Sequence, residues 1–503
     1  MSVIRRVLVS SHHPPLKNYH KAHISTSEKS METQPKEKSS PHVLIFPCPA
    51  QGHVNSMLKL AELLAIQNLR ITFLNTKYIY NRLIRFNDGI QALSECYPML
   101  QFKTISDFHN EEEHPGFGDR IGDVIASLSL YGKPFLRDII VSEKITCIIL
   151  DGIFGELATD LAAEFGIQLI HFRTISACCF WSLLCVPNLL ECNELPIRGE
   201  EDMDRIIRNM PGMENLLRCR DLPSFCRENK KGNLTLDFVV VRSQQSLKAN
   251  ALILNTFEDL EFPILNQIRL HFPNLYTLGP LHHLLNTINK PSSFKSNFFK
   301  VDRTCLTWLD SQPLKSVIYV SFGSFTPLKR EEVIEIWHGL LNSKTQFLWV
   351  IRPNMVQEKG LLKMVKEGTS KEKGLIVEWV PQDEVLAHKA IGAFLTHSGW
   401  NSTLESVVCG VPMICWPYFA DQQVNSRFVS EVWELGLDMK DVCDRNVVES
   451  MVNEVMVNRK DEFLSSSKKM ADLACKSVSS GGSSCNNFHN LIQFIWSSSS
   501  YSP

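Results

Sequence analysis

The residues best suited to chemistry lie between His397 and Ser402, where the sequence His-Ser-Gly-Trp-Asn-Ser follows an apolar run. Gly399 lets a ligand approach the main chain closely, and Asn401 or Ser402 can cap a following helix. The free N–H groups at a helix N-terminus bind anions, and His397 adds one more donor beside them. The spacing therefore predicts a site that can hold a diphosphate without a metal ion.

Four side chains near this motif suit the other parts of a sugar nucleotide. Asp421 and Gln422 begin a second predicted helix, where a carboxylate and an amide can bind sugar hydroxyls. Trp379 has a flat face on which a base can stack, and Glu405 can accept hydrogen bonds from ribose hydroxyls. We expect the carboxylate and the amide to face the same cleft as the diphosphate site.

A second group of candidate residues lies in the first half of the chain. His53 follows Gly52 in a loop after the first predicted strand, and Asp151 stands at the end of a later strand. Ligands bind outside the carboxyl ends of strands in parallel sheets, so this position favours a functional role for the histidine, whereas a lone histidine is usually a packed or exposed residue. The aspartate is equally well placed to cap a helix.

Short aliphatic runs alternate with helical periodicity through most of the chain, which predicts the elements that must position these residues. Near-continuous apolar strands separated by helices are typical of parallel sheets covered on both faces. The predicted strands are Val43–Phe46, Ile71–Leu74, Thr146–Leu150, Leu169–Phe172, Ala251–Leu254, Val317–Ser321, Phe347–Ile351, Leu375–Val377, Ala393–Thr396 and Pro412–Cys415. The predicted helices of the second half are Glu331–Leu341, Ser402–Val408 and Asp421–Leu435.

The strand pattern stops and then restarts, which predicts two α/β domains with a cleft between them. A stretch rich in Asn, Ser, Pro and Lys near residues 284–300 separates the two halves. The predicted divisions are a disordered extension at 1–40, a first domain at 41–280, a linker at 281–300, a second domain at 301–480, and a C-terminal helix and tail at 481–503. The apolar residues between Phe488 and Trp496 share one face, so that helix is expected to pack against a domain.

Composition excludes several classes of protein. The 503 residues carry 52 Lys and Arg against 54 Asp and Glu, so no strongly basic balance points to nucleic acid. No apolar run reaches the roughly 18 residues of a membrane span. The 15 cysteines are scattered without a C-x-x-C pair, which favours reduced thiols in a cytoplasmic protein.

The first 30 residues are basic and contain Glu28 as their only acid. This composition resembles an organelle transit peptide. We favour the alternative, an upstream extension that precedes a natural start at Met31, and therefore expect a cytoplasmic location.

The whole segment from Trp379 to Gln422 resembles the signature box of the plant family 1 UDP-glycosyltransferases at nearly every marked position. The resemblance extends from about Pro41 to Trp496. It implies the GT-B fold, in which two Rossmann-like domains with parallel sheets face each other across a cleft. It further implies an inverting mechanism, a UDP-sugar donor, acceptor binding by the first domain and donor binding by the second.

The resemblance also implies a role for each matching residue of the donor site. Uracil would stack on Trp379 and meet the backbone of Val380, while Gln382 and Glu405 would bind the ribose. The phosphates would be held by Ser324, His397, Asn401 and Ser402. The glucosyl group would be held by Trp400, Asp421 and Gln422, and Thr174 would also contact the donor. Gln422 resembles the residue of glucose-using members, so we expect UDP-glucose as the donor substrate, with no cofactor and no metal.

In the first domain, the resemblance implies that His53 is the catalytic base and that Asp151 orients it. Many relatives have Trp where this chain has Arg173, which is a departure in the wall of the acceptor site. Four aromatic residues are candidates for that wall, although each is equally suited to the core: Phe154, Phe180, Trp181 and Phe225.

Three segments of the first half resemble the iridoid (7-deoxyloganetic acid) glucosyltransferase branch of the family: Phe172–Trp181, Arg198–Arg205 and Arg220–Arg227. We therefore expect glucose transfer to a hydroxyl or carboxyl group of a small lipophilic plant metabolite, such as an iridoid or another terpenoid. A phenolic or flavonoid acceptor and a catalytically silent UDP-sugar-binding protein are the alternatives. We expect a monomer that binds neither nucleic acid nor membrane.

Other apparent motifs carry less weight. The chain has no G-x-G-x-x-G, no G-x-S-x-G, no P-loop and no zinc-spaced His and Cys cluster. Asp202-Met203-Asp204 matches the D-x-D of a different glycosyltransferase fold, but it lies in a charged run that we interpret as a solvated helix. The sequon that begins at Asn233 would not meet the glycosylation machinery in the cytoplasm.

Overall fold

Two wholly parallel β-sheets organise the chain in the computed structural model, which describes residues 40–86, 89–106, 121–227, 234–288, 299–352, 355–356, 358 and 360–498. The strands are β1 His42–Phe46, β2 Arg70–Thr76, β3 Leu100–Ile105, β4 Cys147–Asp151, β5 Gln168–Arg173, β6 Ala251–Leu254, β7 Leu275–Thr277, β8 Val317–Ser321, β9 Gln346–Val350, β10 Gly374–Val377, β11 Ile391–Thr396, β12 Met413–Cys415 and β13 Gly436–Asp438. The first sheet has the order β3-β2-β1-β4-β5-β6-β7, and the second has the order β10-β9-β8-β11-β12-β13.

Helices connect these strands and cover the sheets. They are α1 Gln51–Ile66, α2 Lys77–Phe86, α3 Gly89–Cys96, α4 Ile121–Glu143, α5 Thr159–Phe165, α6 Ala177–Glu191, α7 Leu234–Gln245, α8 Glu258–Arg269, α9 Leu281–Ile288, α10 Thr304–Asp310, α11 Arg330–Asn342, α12 Leu361–Glu367, α13 Gln382–Leu386, α14 Trp400–Cys409, α15 Gln422–Glu431, α16 Arg445–Asn453, α17 Lys460–Val478 and α18 Ser483–Ser498. None of these described helices is both long and apolar enough to cross a membrane.

The alternation of side chains along each strand builds a core on both faces of each sheet. In β1, Val43 and Ile45 pack with α1 and α9, whereas Leu44 and Phe46 pack with α4 and α5. In the second sheet, Ile318 packs with α11 and α16. All ten predicted strands are present, and the prediction of two parallel-sheet domains is confirmed.

Three strands have no counterpart in the sequence prediction. The edge strand β3 carries Gln101 and Lys103 on a polar face, so it lacks the continuous apolar character of the central strands. The strands β7 and β13 are only three residues long, which is too short for periodicity to indicate a strand.

Two predicted helix boundaries also differ from the structure. Helix α14 begins at Trp400 with Gly399 as its N-cap, so the expected capping by Asn401 or Ser402 is wrong. The helix predicted over Asp421–Leu435 ends at Glu431, because the chain turns there to enter β13.

The predicted linker begins with a helix, since α9 occupies the first part of residues 281–300 and buries Leu281 and Leu284 against the first sheet. Residues 289–298 of the linker, residues 1–39 of the extension and Asn233 of the sequon lie outside the described residues.

Helix α18 returns to the first domain although it is the last element of the chain. Phe488, Leu491 and Ile495 are buried against the first sheet, and Asn487 donates a 2.7 Å hydrogen bond to Thr277 in β7. The expected packing of this segment is therefore present, and the C-terminus helps to close the N-terminal core.

The two domains share a continuous interface behind the cleft. Trp400 and Trp433 of the second domain join one apolar cluster with Phe180 and Leu260 of the first. The two indoles donate to main-chain carbonyls across the interface, Trp400 to Asn255 at 2.8 Å and Trp433 to Leu260 at 2.9 Å. These contacts fix the carboxyl edges of the two sheets relative to each other.

Gly436 provides a test of the pairing between β12 and β13. A Cβ atom at this position would lie 1.8 Å from the main-chain oxygen of Met413, which cannot move without breaking the sheet. We expect Gly436→Ala to lower the free energy of unfolding by about 2–3 kcal/mol in urea denaturation.

Gly122→Ala is the matched control, because a Cβ there meets nothing within 4 Å in the first turn of α4. We expect that variant to be neutral or stabilised by up to about 1 kcal/mol. Equal stability of the two variants would contradict the close approach of β13 to β12.

Candidate active site

A cavity of about 640 Å³ lies between the carboxyl edges of the two sheets. Its walls bring together residues from distant parts of the chain, including most of the predicted site. The predicted residues that line it are His53, Thr174, Ser324, Trp379, Val380, Gln382, His397, Trp400, Asn401, Ser402, Glu405 and Asp421. The other two, Asp151 and Gln422, lie behind this lining and contact residues that belong to it or flank it.

His53 and Asp151 form a hydrogen-bonded pair on the first-domain side of the cavity. Nδ1 of His53 lies 2.6 Å from Oδ2 of Asp151, and the two residues come from the start of α1 and the end of β4. The β1–β4 pairing brings these neighbouring strand ends together at the edge of the sheet. The carboxylate also accepts from the main-chain N–H of Ile153, so it caps a short helical turn as well.

Asp151 is ionised although it is only 2 % exposed. Burial alone would raise its pKa, but the interaction with His53 and hydrogen bonds from main-chain N–H groups outweigh burial and hold the pKa below the ordinary value. One of those donors is the N–H of Cys48 at 3.1 Å. An ionised carboxylate can only accept hydrogen bonds. Nδ1 of His53 therefore carries a proton and donates it in the hydrogen bond to Asp151.

The second ring nitrogen of His53 is consequently the one with a lone pair. Thr174 directly follows β5, and its hydroxyl lies 2.8 Å from the same Nδ1, so it supports the ring from the side of Asp151. With Nδ1 occupied, Nε2 is the nitrogen that can accept a proton from a bound molecule. The pair therefore has the arrangement of a general base and its orienting carboxylate.

Across the cavity, His397 is packed between two glycines. Gly399 is the N-cap of α14, and Gly323 follows β8. A Cβ atom on Gly323 or on Gly399 would lie 2.5 Å from Nε2 of the imidazole, so both positions must lack a side chain. Burial, reinforced by the charge of Arg352, lowers the pKa of His397 to about 4. The ring is therefore neutral at pH 7 and presents a hydrogen-bond donor rather than a cation.

The N-terminus of α14 faces the cavity beside His397. The N–H groups of Trp400, Asn401 and Ser402 are in the first turn, where no intrahelical acceptor exists for them. Gly323 has a φ of +73° and turns the chain after β8, which places Ser324 in the same wall. Uncharged donors thus converge on one part of the cavity, as an anion requires.

The side chain of Asn401 is engaged across the cleft. Its Nδ2 donates to the carbonyl of Gly52 at 2.8 Å, and its Oδ1 accepts from the hydroxyl of Ser56 at 2.8 Å. The amide group therefore ties α14 to α1, and the main-chain N–H of Asn401 is the part that is left for a ligand.

Gln382 is the centre of a polar cluster that the sequence did not reveal as a unit. Its Oε1 accepts from the hydroxyl of Tyr319 at 3.0 Å, and its Nε2 donates to Ser402 at 2.9 Å and to Glu405 at 2.8 Å. The two predicted ribose-binding residues are therefore adjacent and held in place. Tyr319 was missed because it lies inside a strand pattern that reads as core.

Trp379 and Val380 form the neighbouring part of the wall. The indole of Trp379 packs against Phe299 with ring centroids 4.6 Å apart, and its carbonyl accepts from the N–H of Asp302. The aromatic side chain is thereby held at the same end of the cavity as Gln382 and Glu405.

Asp421 is the N-cap residue of α15 and lines the cavity. Burial raises the pKa of its carboxyl to about 6, although Asn425 donates to it at 2.8 Å. Oε1 of the next residue, Gln422, accepts from the main-chain N–H groups of Tyr418 and Phe419. Gln422 therefore shapes the loop before α15 with its oxygen, and only its amide N–H groups remain for a ligand.

The aromatic candidates for the acceptor wall belong mainly to the core. Phe154 and Phe180 are fully buried, and Trp181 donates to the carbonyl of Pro211. Phe225 is half-buried and packs against the same cluster as Phe180. The core interpretation of these residues is the one that the packing favours.

The charged run around Asp202 is not a solvated helix. It forms a short turn in which Asp202 pairs with Arg205, and Asp204 pairs with Arg218 and Arg220. Within the described ranges, no group of three or more His, Cys, Asp and Glu side chains is arranged to hold a metal ion.

Comparison with known proteins gives the class of this site. The family model for UDP-glucoronosyl and UDP-glucosyl transferase matches residues 223–474. A 7-deoxyloganetic acid glucosyltransferase of Catharanthus roseus is 49 % identical over 474 residues, which cover 91 % of this chain and 97 % of the relative. A second Catharanthus roseus protein, 7-deoxyloganetic acid glucosyl transferase, is 50 % identical over 473 residues, with 90 % and 97 % covered.

The structure of Os79 from O. sativa in complex with UDP aligns with a TM-score of 0.75 at 27 % identity, covering 90 % of this chain and 100 % of that one. The chain belongs to the family of UDP-glucoronosyl and UDP-glucosyl transferases. It is a UDP-glycosyltransferase with a GT-B fold and a UDP-sugar donor, which confirms the predictions of fold and enzyme class.

The glycine at 323 yields a test of the donor site. In Gly323→Ala the new methyl group would displace His397, and we expect UDP to bind about tenfold more weakly in calorimetric titration. Gly166→Ala is the matched control, since Gly166 also has a positive φ (+62°) but has open space around its Cβ position. Unchanged UDP affinity of Gly323→Ala would contradict the role of this packing.

Proposed function

We propose that this enzyme transfers glucose from UDP-glucose to an iridoid acid of the 7-deoxyloganetic acid type. The observation that carries the chemistry is the 2.6 Å pair of His53 and Asp151, which faces the N-terminus of α14 across one cavity. The choice of glucose and of an iridoid rests on the two Catharanthus roseus relatives at 49 % and 50 % identity.

In the proposed reaction, a hydroxyl of the acceptor gives its proton to Nε2 of His53. The oxygen forms a bond to the anomeric carbon as the bond from that carbon to the β-phosphate oxygen breaks, and the electron pair leaves with UDP. Attack from the face opposite to the leaving group inverts the configuration. The ionised Asp151 stabilises the imidazolium that results.

The leaving diphosphate would be stabilised by the donors opposite. His397, Ser324 and the first N–H groups of α14 are fixed before the donor binds, so no reorganisation is needed as charge develops on the phosphate. Trp379 and Val380 would hold the uracil, Gln382 and Glu405 the ribose. Trp400, Asp421 and Gln422 would hold the glucosyl group, with Thr174 beside the anomeric centre.

The same hypothesis covers location and assembly. We expect the enzyme to work as a cytoplasmic monomer. We also expect it to need no metal ion, because neutral N–H donors are available for the diphosphate. Full activity in the presence of EDTA, a monomeric mass in light scattering and a cytoplasmic reporter fusion would each support its part of this hypothesis.

Removal of the proposed base tests the mechanism. We expect His53→Ala to lower the rate with a hydroxyl acceptor by about 100-fold or more, with UDP affinity unchanged, because general bases contribute at least that much. With an acceptor whose carboxylate is the nucleophile, a large part of the rate should remain. His489→Ala on the exposed side of α18 is the control.

A loss of less than about threefold with a hydroxyl acceptor would contradict the general-base assignment. Turnover of UDP-glucose with a phenolic acceptor but with no iridoid would instead contradict the acceptor class and leave the assignment of His53 standing.

The pKa of Asp421 yields a second test. Its carboxyl is half protonated at about pH 6 and ionised well above that value, so hydrogen bonds from the glucosyl hydroxyls should weaken as pH falls through 6. We expect the Kd of UDP-glucose for the wild type to rise between pH 7.5 and pH 5. Asp421→Asn should bind about tenfold more weakly at pH 7.5 and show little further change.

UDP at pH 7.5 is the control ligand, because it lacks the sugar and should bind both proteins alike. If Asp421→Asn kept the pH dependence of the wild type, another group would be responsible for it.

A further inference from the structure

We propose that Arg173 determines acceptor specificity by pairing with a carboxylate of the acceptor while a hydroxyl of the same molecule is glucosylated. This inference rests on the proposed function, and it names the group that the first domain recognises.

Arg173 lies directly behind the proposed catalytic pair. It is the last residue of β5, and the next residue is Thr174, whose hydroxyl is 2.8 Å from Nδ1 of His53. Its side chain runs across Gly152, the residue after Asp151, so closely that a Cβ on Gly152 would lie 2.3 Å from Cδ of the arginine. The absence of a side chain at 152 is what admits the guanidinium to this position.

The guanidinium is buried with few partners. Arg173 is 4 % exposed, and its one hydrogen bond is a long one, 3.4 Å from NH2 to the hydroxyl of Ser243. NH1 is buried and has no hydrogen-bond partner. The ring of Phe180 lies 5.0 Å from the guanidinium carbon, which offers some compensation to the charge but no acceptor for its N–H groups.

The nearest carboxylate is already in use. Asp151 attracts the guanidinium, but its oxygens accept from His53, Cys48 and Ile153. No carboxylate of the described residues lies within ion-pair distance of Arg173. A buried charge that lacks an ionic partner is costly, and such departures are expected where a ligand completes the site.

The buried lysine of the second domain is compensated differently. Lys440, also 4 % exposed, pairs with Asp221 at 2.5 Å and with Asp438 at 2.9 Å. Among the buried cations in the described ranges, only Arg173 and Arg352 lack a carboxylate. Arg352 lies close enough to His397 to lower its pKa, beside the proposed diphosphate site. Of the two guanidinium groups that lack a carboxylate, that of Arg352 thus lies near the proposed donor site and that of Arg173 near the proposed acceptor site.

A carboxylate is the group that suits Arg173. The planar guanidinium presents parallel N–H donors that match the two oxygens of a carboxylate. If the acid group of the acceptor is held there as the charged partner, it is not the nucleophile. The product is then a glucoside with a free carboxyl group, stable to mild alkali, rather than a glucose ester.

The experiment compares an iridoid acid with its methyl ester as acceptors for the wild type, Arg173→Leu and Arg173→Lys. We expect the wild type to favour the acid at least tenfold in kcat/KM. In Arg173→Leu the ratio of acid to ester should fall about 10- to 100-fold, with the loss mainly in KM for the acid. Arg173→Lys keeps the positive charge but loses the planar pair of N–H donors. Its ratio of acid to ester should lie between those of the wild type and Arg173→Leu.

Arg242→Leu is the matched control, because Arg242 on α7 is close to the same loop but already donates to the carbonyl of Phe154. It should leave the ratio of acid to ester unchanged. The Kd of UDP should stay constant in every variant.

Equal use of acid and ester by the wild type would overturn the inference and leave the proposed function intact. An equal loss with both acceptors in Arg173→Leu would also overturn it, since that result indicates a structural role. If Arg173→Leu does not fold, the wild-type ratio and Arg173→Lys still decide the question. Transfer to neither acceptor would overturn the proposed function, and the inference with it.

Discussion

The contact of Asn401 with the start of α1 is the constraint on which the site depends. One amide side chain donates to Gly52 and accepts from Ser56, so it joins the helix that follows β1 to the helix that follows β11. His53 is the residue after Gly52, and the N–H groups that we propose to bind the donor begin α14 beside Asn401. The same pair of hydrogen bonds therefore sets the position of the proposed base relative to the proposed leaving-group site, where small displacements have large effects on rate.

The electrostatics of the cavity follow from burial. Burial lowers the pKa of His397, so the donors of the proposed diphosphate site are neutral, and Asp151 keeps its charge because His53 and main-chain N–H groups are directed at it. Asp421 lacks comparable compensation, so its pKa rises to about 6. In a site removed from water, each charge needs a partner, which makes the solitary guanidinium of Arg173 informative.

Glycine positions make this packing possible. Gly323 and Gly399 admit the imidazole of His397, and Gly152 admits the side chain of Arg173 next to the pair of His53 and Asp151. Each lies after a strand at the carboxyl edge of a sheet, which is where parallel α/β folds bind ligands. At Gly323 and Gly152, the side chain that requires the glycine belongs to a residue far away in the sequence, His397 or Arg173.

The sequence by itself determined the elements and the donor motif, because strand and helix periodicity and helix-start residues are local properties. It indicated all the central strands, and it singled out residues 397–402 and His53, of which His53, His397 and the first residues of α14 line the same cavity. Only the tertiary structure decided which side chains meet. Asp151 reaches His53 across 98 residues, Asn401 reaches Ser56 across 345, and α18 returns to the first sheet, because strand order and domain contacts set these distances. The N-cap of α14 and the helix inside the predicted linker were also not predicted, because tertiary packing overrides local propensity.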